Sequence, residues 1–141
     1  MKVYFSCSLT GGREYEEVYR LIVKHLLKCG YEVPTAHLAS PGVMEVEKVI
    51  DAKEVYHRDI EWIDHCDAVI AEVSTPSHGV GYEIAYALGL GKPVLCCYKQ
   101  GVNVSKMIVG NDSPNITLDT YDHNFQVPDM VDSFIDRLRG D

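Results

Sequence analysis

The chain has 141 residues, with 13 Lys and Arg against 21 Asp and Glu and a net charge of −8, an excess that opposes the phosphate backbone of DNA or RNA and excludes nucleic acid as a partner. Hydrophobic residues make up 46% and charged residues 24%, which excludes disorder and a disulfide-dense miniature scaffold and fits one domain over residues 1–141. Five cysteines, Cys7, Cys29, Cys66, Cys96 and Cys97, form an odd set without a C-x-x-C pair, and no stretch approaches the roughly 20 apolar residues of a membrane span. A cytoplasmic protein is expected, or a nuclear one in a eukaryote, in a reducing compartment and with no membrane partner.

Residues 2–9 alternate Val3, Phe5, Cys7 and Leu9 against Tyr4, Ser6 and Ser8, the period of a strand, and stop at Thr10-Gly11-Gly12. Over residues 13–29 the apolar positions Tyr15, Val18, Tyr19, Ile22 and Leu26 recur at helical spacing, and Gly30 closes the run. Residues 31–38 read as a second strand, confined to a sheet edge by Pro34. A second helix is expected over 44–65, with Val46, Val49, Ile50, Tyr56, Ile60 and Ile63 inward. A third strand follows over 67–74, then a glycine-rich turn over 75–81, a helix over 82–90 ending at Gly91, and a fourth strand over 92–98. Residues 100–114 read mostly as loop, 115–119 as a fifth strand and 128–138 as a last amphipathic helix. Strands alternating with helices imply right-handed crossovers and a parallel sheet covered on both faces, with ligands beyond the carboxyl ends of the strands.

Two carboxylates break the binary pattern. The helical neighbours of Asp59 are Val55, Tyr56, Trp62 and Ile63, all apolar, whereas Glu61 on the same helix has His57, Arg58, Asp64 and His65 around it. Glu83 is flanked by Gly79, Val80, Tyr86 and Ala87. Burying an unpaired carboxylate costs several kcal/mol, so such residues are kept for a cap, an ion pair or a function. Two carboxyl groups around one small pocket suit glycoside or N-glycoside cleavage, one as nucleophile and one as acid. Asp59, beside Trp62 and Tyr56, is the expected protonated acid, and Glu83, near a helix start, the expected ionised nucleophile. Gly11, Gly12, Gly79 and Gly81 let backbone N–H groups approach an anion, and Arg13, Ser77 and Ser6 or Ser8 add donors, so a phosphate is the natural guest. His57, His65 and Cys66 do not share a helical face, and no metal site or cofactor is expected. Cys7 is read as a packing residue, with no cation beside it to stabilise a thiolate.

The opening YFSCSLTGGR, the segment YHRDIEWIDHCDAVIAEVSTPSHGVGYEIAYALGLGKPVLCCY and the later VSKMIVG resemble the 2'-deoxynucleoside 5'-monophosphate N-glycosidases, relatives of the nucleoside 2-deoxyribosyltransferases. The resemblance runs from Lys2 to Gly110 and rests on the combination of R-D-x-E-W, A-E-V-x-x-P-S-x-G-V-G-Y-E and S-x-M-I-x-G. It implies a flavodoxin-like, Rossmann-like three-layer α/β fold with a five-stranded parallel sheet, a homodimer, and hydrolysis of the bond between base and deoxyribose in a nucleotide. Glu83 would be the nucleophile, Asp59 the acid, and Tyr4 the residue that holds and tunes the glutamate. The 5'-phosphate of the deoxynucleoside monophosphate would be held by Ser77, by Ser105 of the neighbouring subunit, by Arg13 and by glycine amides, and His37 would line the base pocket. Thr10, His78 and Cys7 stand where relatives carry arginine, leucine and glycine, which leaves the base preference open. Two other readings are a transferase that exchanges bases on unphosphorylated nucleosides and a nucleotide-binding module without chemistry.

Overall fold

A computed structural model describes residues 1–9 and 12–140; the expectations placed on Thr10 and Gly11 lie outside the described residues. Four parallel strands, β1 (Val3–Ser6), β2 (Ala68–Glu72), β3 (Val94–Lys99) and β4 (Ile116–Tyr121), form one sheet in the order β1-β2-β3-β4. The helices are α1 (Glu16–Lys28), α2 (Val43–Glu47), α3 (Ala52–Asp64), α4 (His78–Gly89), α5 (Lys106–Val109) and α6 (Val127–Leu138).

The alternation in β1 sets the two layers, because successive side chains leave a strand on opposite faces. Val3 and Phe5 pack with Tyr19, Ile22 and Leu26 of α1 and Val131 and Phe134 of α6. Tyr4, on the other face, packs with Ile63 of α3 and Val80 and Ile84 of α4. Both faces are buried, as a parallel sheet requires. The registers Tyr4 to Val69 and Ser6 to Ala71 bring the end of β1 level with the end of β2.

The sheet has four strands among the described residues, not the five expected. The segment read as the second strand makes one parallel bridge, Lys2 to Glu32, on the free edge of β1, with Val3 N–H donating to the Glu32 carbonyl at 2.8 Å. Beyond it the edge closes with a side chain. Phe5 N–H donates to Thr35 Oγ1 at 2.9 Å, where a continuing strand would have offered a carbonyl. Pro34 cannot extend a ladder, and the chain turns into a short 3-10 helix, Ala36–Ala39. Glu32 and β2 nevertheless flank β1 on opposite sides, so the order of strands reverses at β1 and a crevice opens past Ser6.

The long second helix divides into α2 and α3 around extended Asp51. Adjacent β-branched Val49 and Ile50 disfavour helix, and Asp favours the position before one. Val46, Val49 and Tyr56, expected inward, are exposed. The expected loop over 100–114 contains the single turn α5, whose start Ser105 caps by accepting from Met107 N–H at 3.2 Å.

Candidate active site

The crevice past β1 holds a buried hydroxyl–carboxylate cluster. Ser77 caps α4, its Oγ accepting from Val80 N–H at 3.3 Å, and the helix then runs deep enough that Glu83 lies in its second turn, facing β1. Tyr4 Oη donates to Glu83 Oε2, and Ser6 Oγ donates to Oε1 at 2.8 Å. Tyr4 and Ser6 are alternate residues of one strand, so the period of two that buries Tyr4 also aims Ser6 at the same side chain. Both are fully buried. Burial pushes the Glu83 carboxyl up to about 7, against the opposing pull of the Tyr4 and Ser6 hydroxyls. Burial, with the charges of Glu83 and Asp59, holds the Tyr4 phenol protonated far above its ordinary range, so it serves as a donor.

Asp59 comes from α3, and with Glu83 it lines a cavity of about 310 Å³ whose other walls include Leu38, Val55, Ile60, Tyr56 and Tyr82. Burial raises the Asp59 carboxyl, and Arg58 opposes this through Nε, 2.9 Å from Oδ1. The rest of the Arg58 fork is engaged elsewhere: Nη2 and Nη1 donate to Glu47 Oε1 and Oε2 at 2.7 and 3.2 Å, and the guanidinium stacks over Trp62, 4.8 Å from the ring centroid. Hydrogen bonding from Arg58 holds the Glu47 carboxyl below its usual range. One Asp59 oxygen is thereby fixed by arginine. In the second turn of α4 burial raises the Glu83 carboxyl in spite of the nearby helix start, and Asp59 has a cation beside it.

An outer cleft of about 720 Å³ adjoins this cavity, with Ser77, Val80 and Tyr82 lining both. Ser77, His78 and Gly81 at the start of α4 face Asn103, Ser105 and Asn111 across it, and no carboxylate among the described residues lines it. Gly79 borders the inner cavity, and a Cβ there would meet nothing within 4 Å, so the backbone is open to a ligand. Ser105 thus reaches the Ser77 groove within its own chain.

Arg13 and His37 lie elsewhere. Arg13 Nη1 donates to the Ser8 carbonyl at 3.3 Å and Nη2 to the Ser40 carbonyl at 3.2 Å, with Nε on Glu16; it braces the loop after β1 and lines neither cavity. His37 Nε2 is 3.4 Å from Glu47 Oε1 and its ring packs edge-on to Trp62, behind the wall and not on it. Cys7 does line the inner cavity, and a cation stands beside it after all, Arg13 Nη1 at 3.7 Å. Burial still pushes the thiol up to about 12, which leaves a packing residue.

Two residues of the site, Arg58 and Glu47, were not singled out from the sequence, and neither was a third acid that lies outside it. Glu72, the charged residue of β2, is fully buried. It accepts from Ser74 N–H and Oγ at 2.7 Å each and from Tyr121 Oη at 2.5 Å. An acid inside an apolar strand run was its available signal.

A doubly wound sheet carrying two partly buried carboxylates on one cavity, at the switch point of its strand order, defines an α/β protein with a candidate acid–base site where this architecture binds its ligands. The sequence profile of the nucleoside 2-deoxyribosyltransferase family matches residues 3–129, and the chain belongs to that family. A protein of Methanosarcina mazei carrying the provisional name 2'-deoxynucleoside 5'-phosphate N-hydrolase 1 is 38% identical over 136 residues, 96% of this chain and 84% of that protein. The 5-hydroxymethyl-dUMP N-hydrolase of Rattus norvegicus is 40% identical over 112 residues, 77% of this chain and 68% of its own. Among solved structures, the CMP N-glycosidase of Clostridium botulinum superposes with a TM-score of 0.73 at 19% identity, covering 95% of this chain and 99% of that one; it shares the α/β fold.

Proposed function

We propose that the protein is a hydrolase that cleaves the N-glycosidic bond of 2'-deoxynucleoside 5'-monophosphates, releasing free base and 2-deoxyribose 5-phosphate. The observation that carries the reading is the pair Glu83 and Asp59 on one cavity, with the Glu83 oxygens held by Tyr4 and Ser6. The names of the relatives support the same activity.

In the first half-reaction Glu83, ionised, attacks C1', the C1'–N bond breaks, and protonated Asp59 gives its proton to the departing base nitrogen. In the second, Asp59 takes a proton from water as the water oxygen attacks C1', and the ester to Glu83 breaks, restoring both acids. The Tyr4 and Ser6 hydroxyls orient the nucleophile and compensate the charge it regains on leaving C1'. A pKa near 7 makes Glu83 a stronger nucleophile than an exposed carboxylate while leaving a substantial ionised fraction at neutral pH.

The 5'-phosphate lies at the start of α4 with Ser77, Gly79 and Ser105, on the side of the outer cleft, where no carboxylate among the described residues lines the wall to repel a dianion. Arg13 joins this site only if it leaves Ser40. A homodimer closing over the outer cleft is supported by the exposed apolar residues beside it, Tyr82 on α4 and Met107 on α5. The protein acts in the cytoplasm without nucleic acid or membrane partners, a reading supported by net charge −8 and five free cysteines. No helix among the described residues is long and apolar enough to cross a membrane.

The test is a panel of deoxynucleoside monophosphates and matching nucleosides, with free base followed over time. Release from the monophosphates, with nucleosides inert, is expected. Release from nucleosides alone, or base exchange between two nucleosides without net hydrolysis, would replace the reading with transfer, and no release from any would leave a binding module.

A further inference from the structure

On the face of the molecule formed by α1 and α6, three side chains unrelated to the cavity converge. His25 lies in the last turn of α1, Cys29 caps the end of that helix, and Asp132 lies on α6. His25 Nε2 is 2.7 Å from Asp132 Oδ1 and 3.8 Å from Cys29 Sγ, and one ligand atom from each residue lies within 4.8 Å of the other two. Among the described residues this is the one group of three or more His, Cys, Asp or Glu arranged in this way.

The arrangement does not have the geometry of a thiol–imidazole–carboxylate relay. A relay uses the two ring nitrogens separately, one toward the nucleophile and the other toward the acid. Here sulfur and oxygen both approach Nε2, so three donors face one point. A cation placed there would be held by all three. The end of a 13-residue helix adds the negative pole of its dipole beside Cys29.

We propose that His25, Cys29 and Asp132 form a zinc-binding site, with water as the fourth ligand, that clips the end of α1 to α6. The donor set of imidazole, thiolate and carboxylate matches zinc, and tetrahedral bond lengths of about 2.0–2.3 Å separate neighbouring donors by roughly 3.3–3.6 Å. The 3.8 Å sulfur–nitrogen separation is already close to that, and the 2.7 Å nitrogen–oxygen pair must open by about half an ångström. The Asp132 side chain, 49% exposed, is free to do so. Cys29 is bound as its thiolate, its proton passing to solvent. The residues i and i+4 of one helix supply two ligands, and the third comes from a helix 107 positions later in sequence, so the ion ties the amino-terminal and carboxyl-terminal parts of one layer.

The test uses the full chain stripped by chelator and titrated with zinc, and separately with cobalt as a spectroscopic probe. Cobalt is expected to give tetrahedral d–d bands and a thiolate-to-metal charge-transfer band, and zinc to raise the melting temperature. Cys29 is the one exposed cysteine, Cys7, Cys66, Cys96 and Cys97 being buried, so the charge-transfer band should vanish in Cys29→Ser. Loss of a supporting outer-shell group at zinc sites costs tenfold or more, so His25→Gln and Asp132→Asn should each weaken zinc affinity by at least about tenfold. N-glycosidase activity should be unchanged in all three variants, since none of these residues lines either cavity. Absence of a charge-transfer band in the wild-type chain, or zinc affinity unchanged in Cys29→Ser and His25→Gln, would overturn the site.

Discussion

Two glutamates in this chain, one fully buried and one half-buried, are held in nearly the same way and face different surroundings. Glu72, at the end of β2, accepts from Ser74 and Tyr121; Glu83, on α4, accepts from Ser6 and Tyr4. In each case a serine and a tyrosine hydroxyl hold one carboxylate, and in each case burial raises its pKa. The difference lies in what is left open. Glu72 has no exposed surface and lines neither cavity, and its partners tie the end of β2 to the end of β4. Glu83 forms part of a cavity wall with a second carboxylate on the same cavity. Burial and hydroxyl donors therefore do not make a site by themselves. A cavity at the reversal of strand order, shared with another acid, is what separates the reactive carboxylate from the structural one.

Isosteric amides separate the two roles most strongly. Glu83→Gln should lower kcat by at least about a thousandfold, as removal of a nucleophile does, with a smaller loss of stability than at Glu72, because the Tyr4 and Ser6 hydroxyls can turn to accept whereas the Ser74 N–H on Glu72 cannot. Glu72→Gln should do the reverse, losing about 1–3 kcal/mol of stability through mismatched buried hydrogen bonds while keeping kcat within about tenfold. Paired kinetics and thermal melts check both, and equal kinetic losses would erase the distinction. Asp59→Asn comes next, with a loss of about 10²–10⁴ in kcat that shrinks for substrates whose base leaves without protonation. A loss independent of the leaving base would remove Asp59 as the acid.

Smaller effects should appear in pH profiles. Tyr4 donates to the charged form of Glu83, so Tyr4→Phe should raise the Glu83 pKa above about 7 and move the acidic limb of kcat/KM to higher pH. An acidic limb that stays in place would mean that another group controls it. Glu47→Gln tests the opposite wall. The charge of Glu47 raises the Asp59 pKa and its carboxylate holds two nitrogens of Arg58, so its loss should lower the Asp59 pKa and move the alkaline limb to lower pH. His37, Tyr4 and Glu83 also face this group and remain in place in the variant. An alkaline limb that is unmoved or rises would sever the link between Glu47 and the acid.

The layers of the fold were legible because they follow from local rules. The alternation in β1, the helical spacing from Tyr15 to Leu26 and the glycine stops each depend on neighbours in sequence. What failed depended on distant ones. The edge strand shrank to one bridge because Thr35 supplies the acceptor for Phe5 N–H. The helix read over 44–65 is an exception, since the β-branched pair Val49 and Ile50 and the extended Asp51 that divide it are local signals. In the site, inspection of helical neighbours found Glu83 and Asp59, and the resemblance added Tyr4. The same inspection gave Arg58 no role, because its partner, Glu47, lies on another helix. Nor could spacing separate Glu72 from Glu83, since the tyrosines that hold them lie 49 and 79 positions away. The raised pKa of Glu83 was hidden for a related reason: its place near a helix start was visible, while the depth of burial that raises its carboxyl is a property of the packed layers.

The most direct test of the central claim is rapid quench of the protein with a deoxynucleoside monophosphate, followed by peptide mass mapping. The account predicts an adduct of one 2-deoxyribose 5-phosphate on the peptide containing Glu83, formed in a burst with free base and absent in Glu83→Gln. An adduct on another residue, or base release at the normal rate by Glu83→Gln, would contradict it.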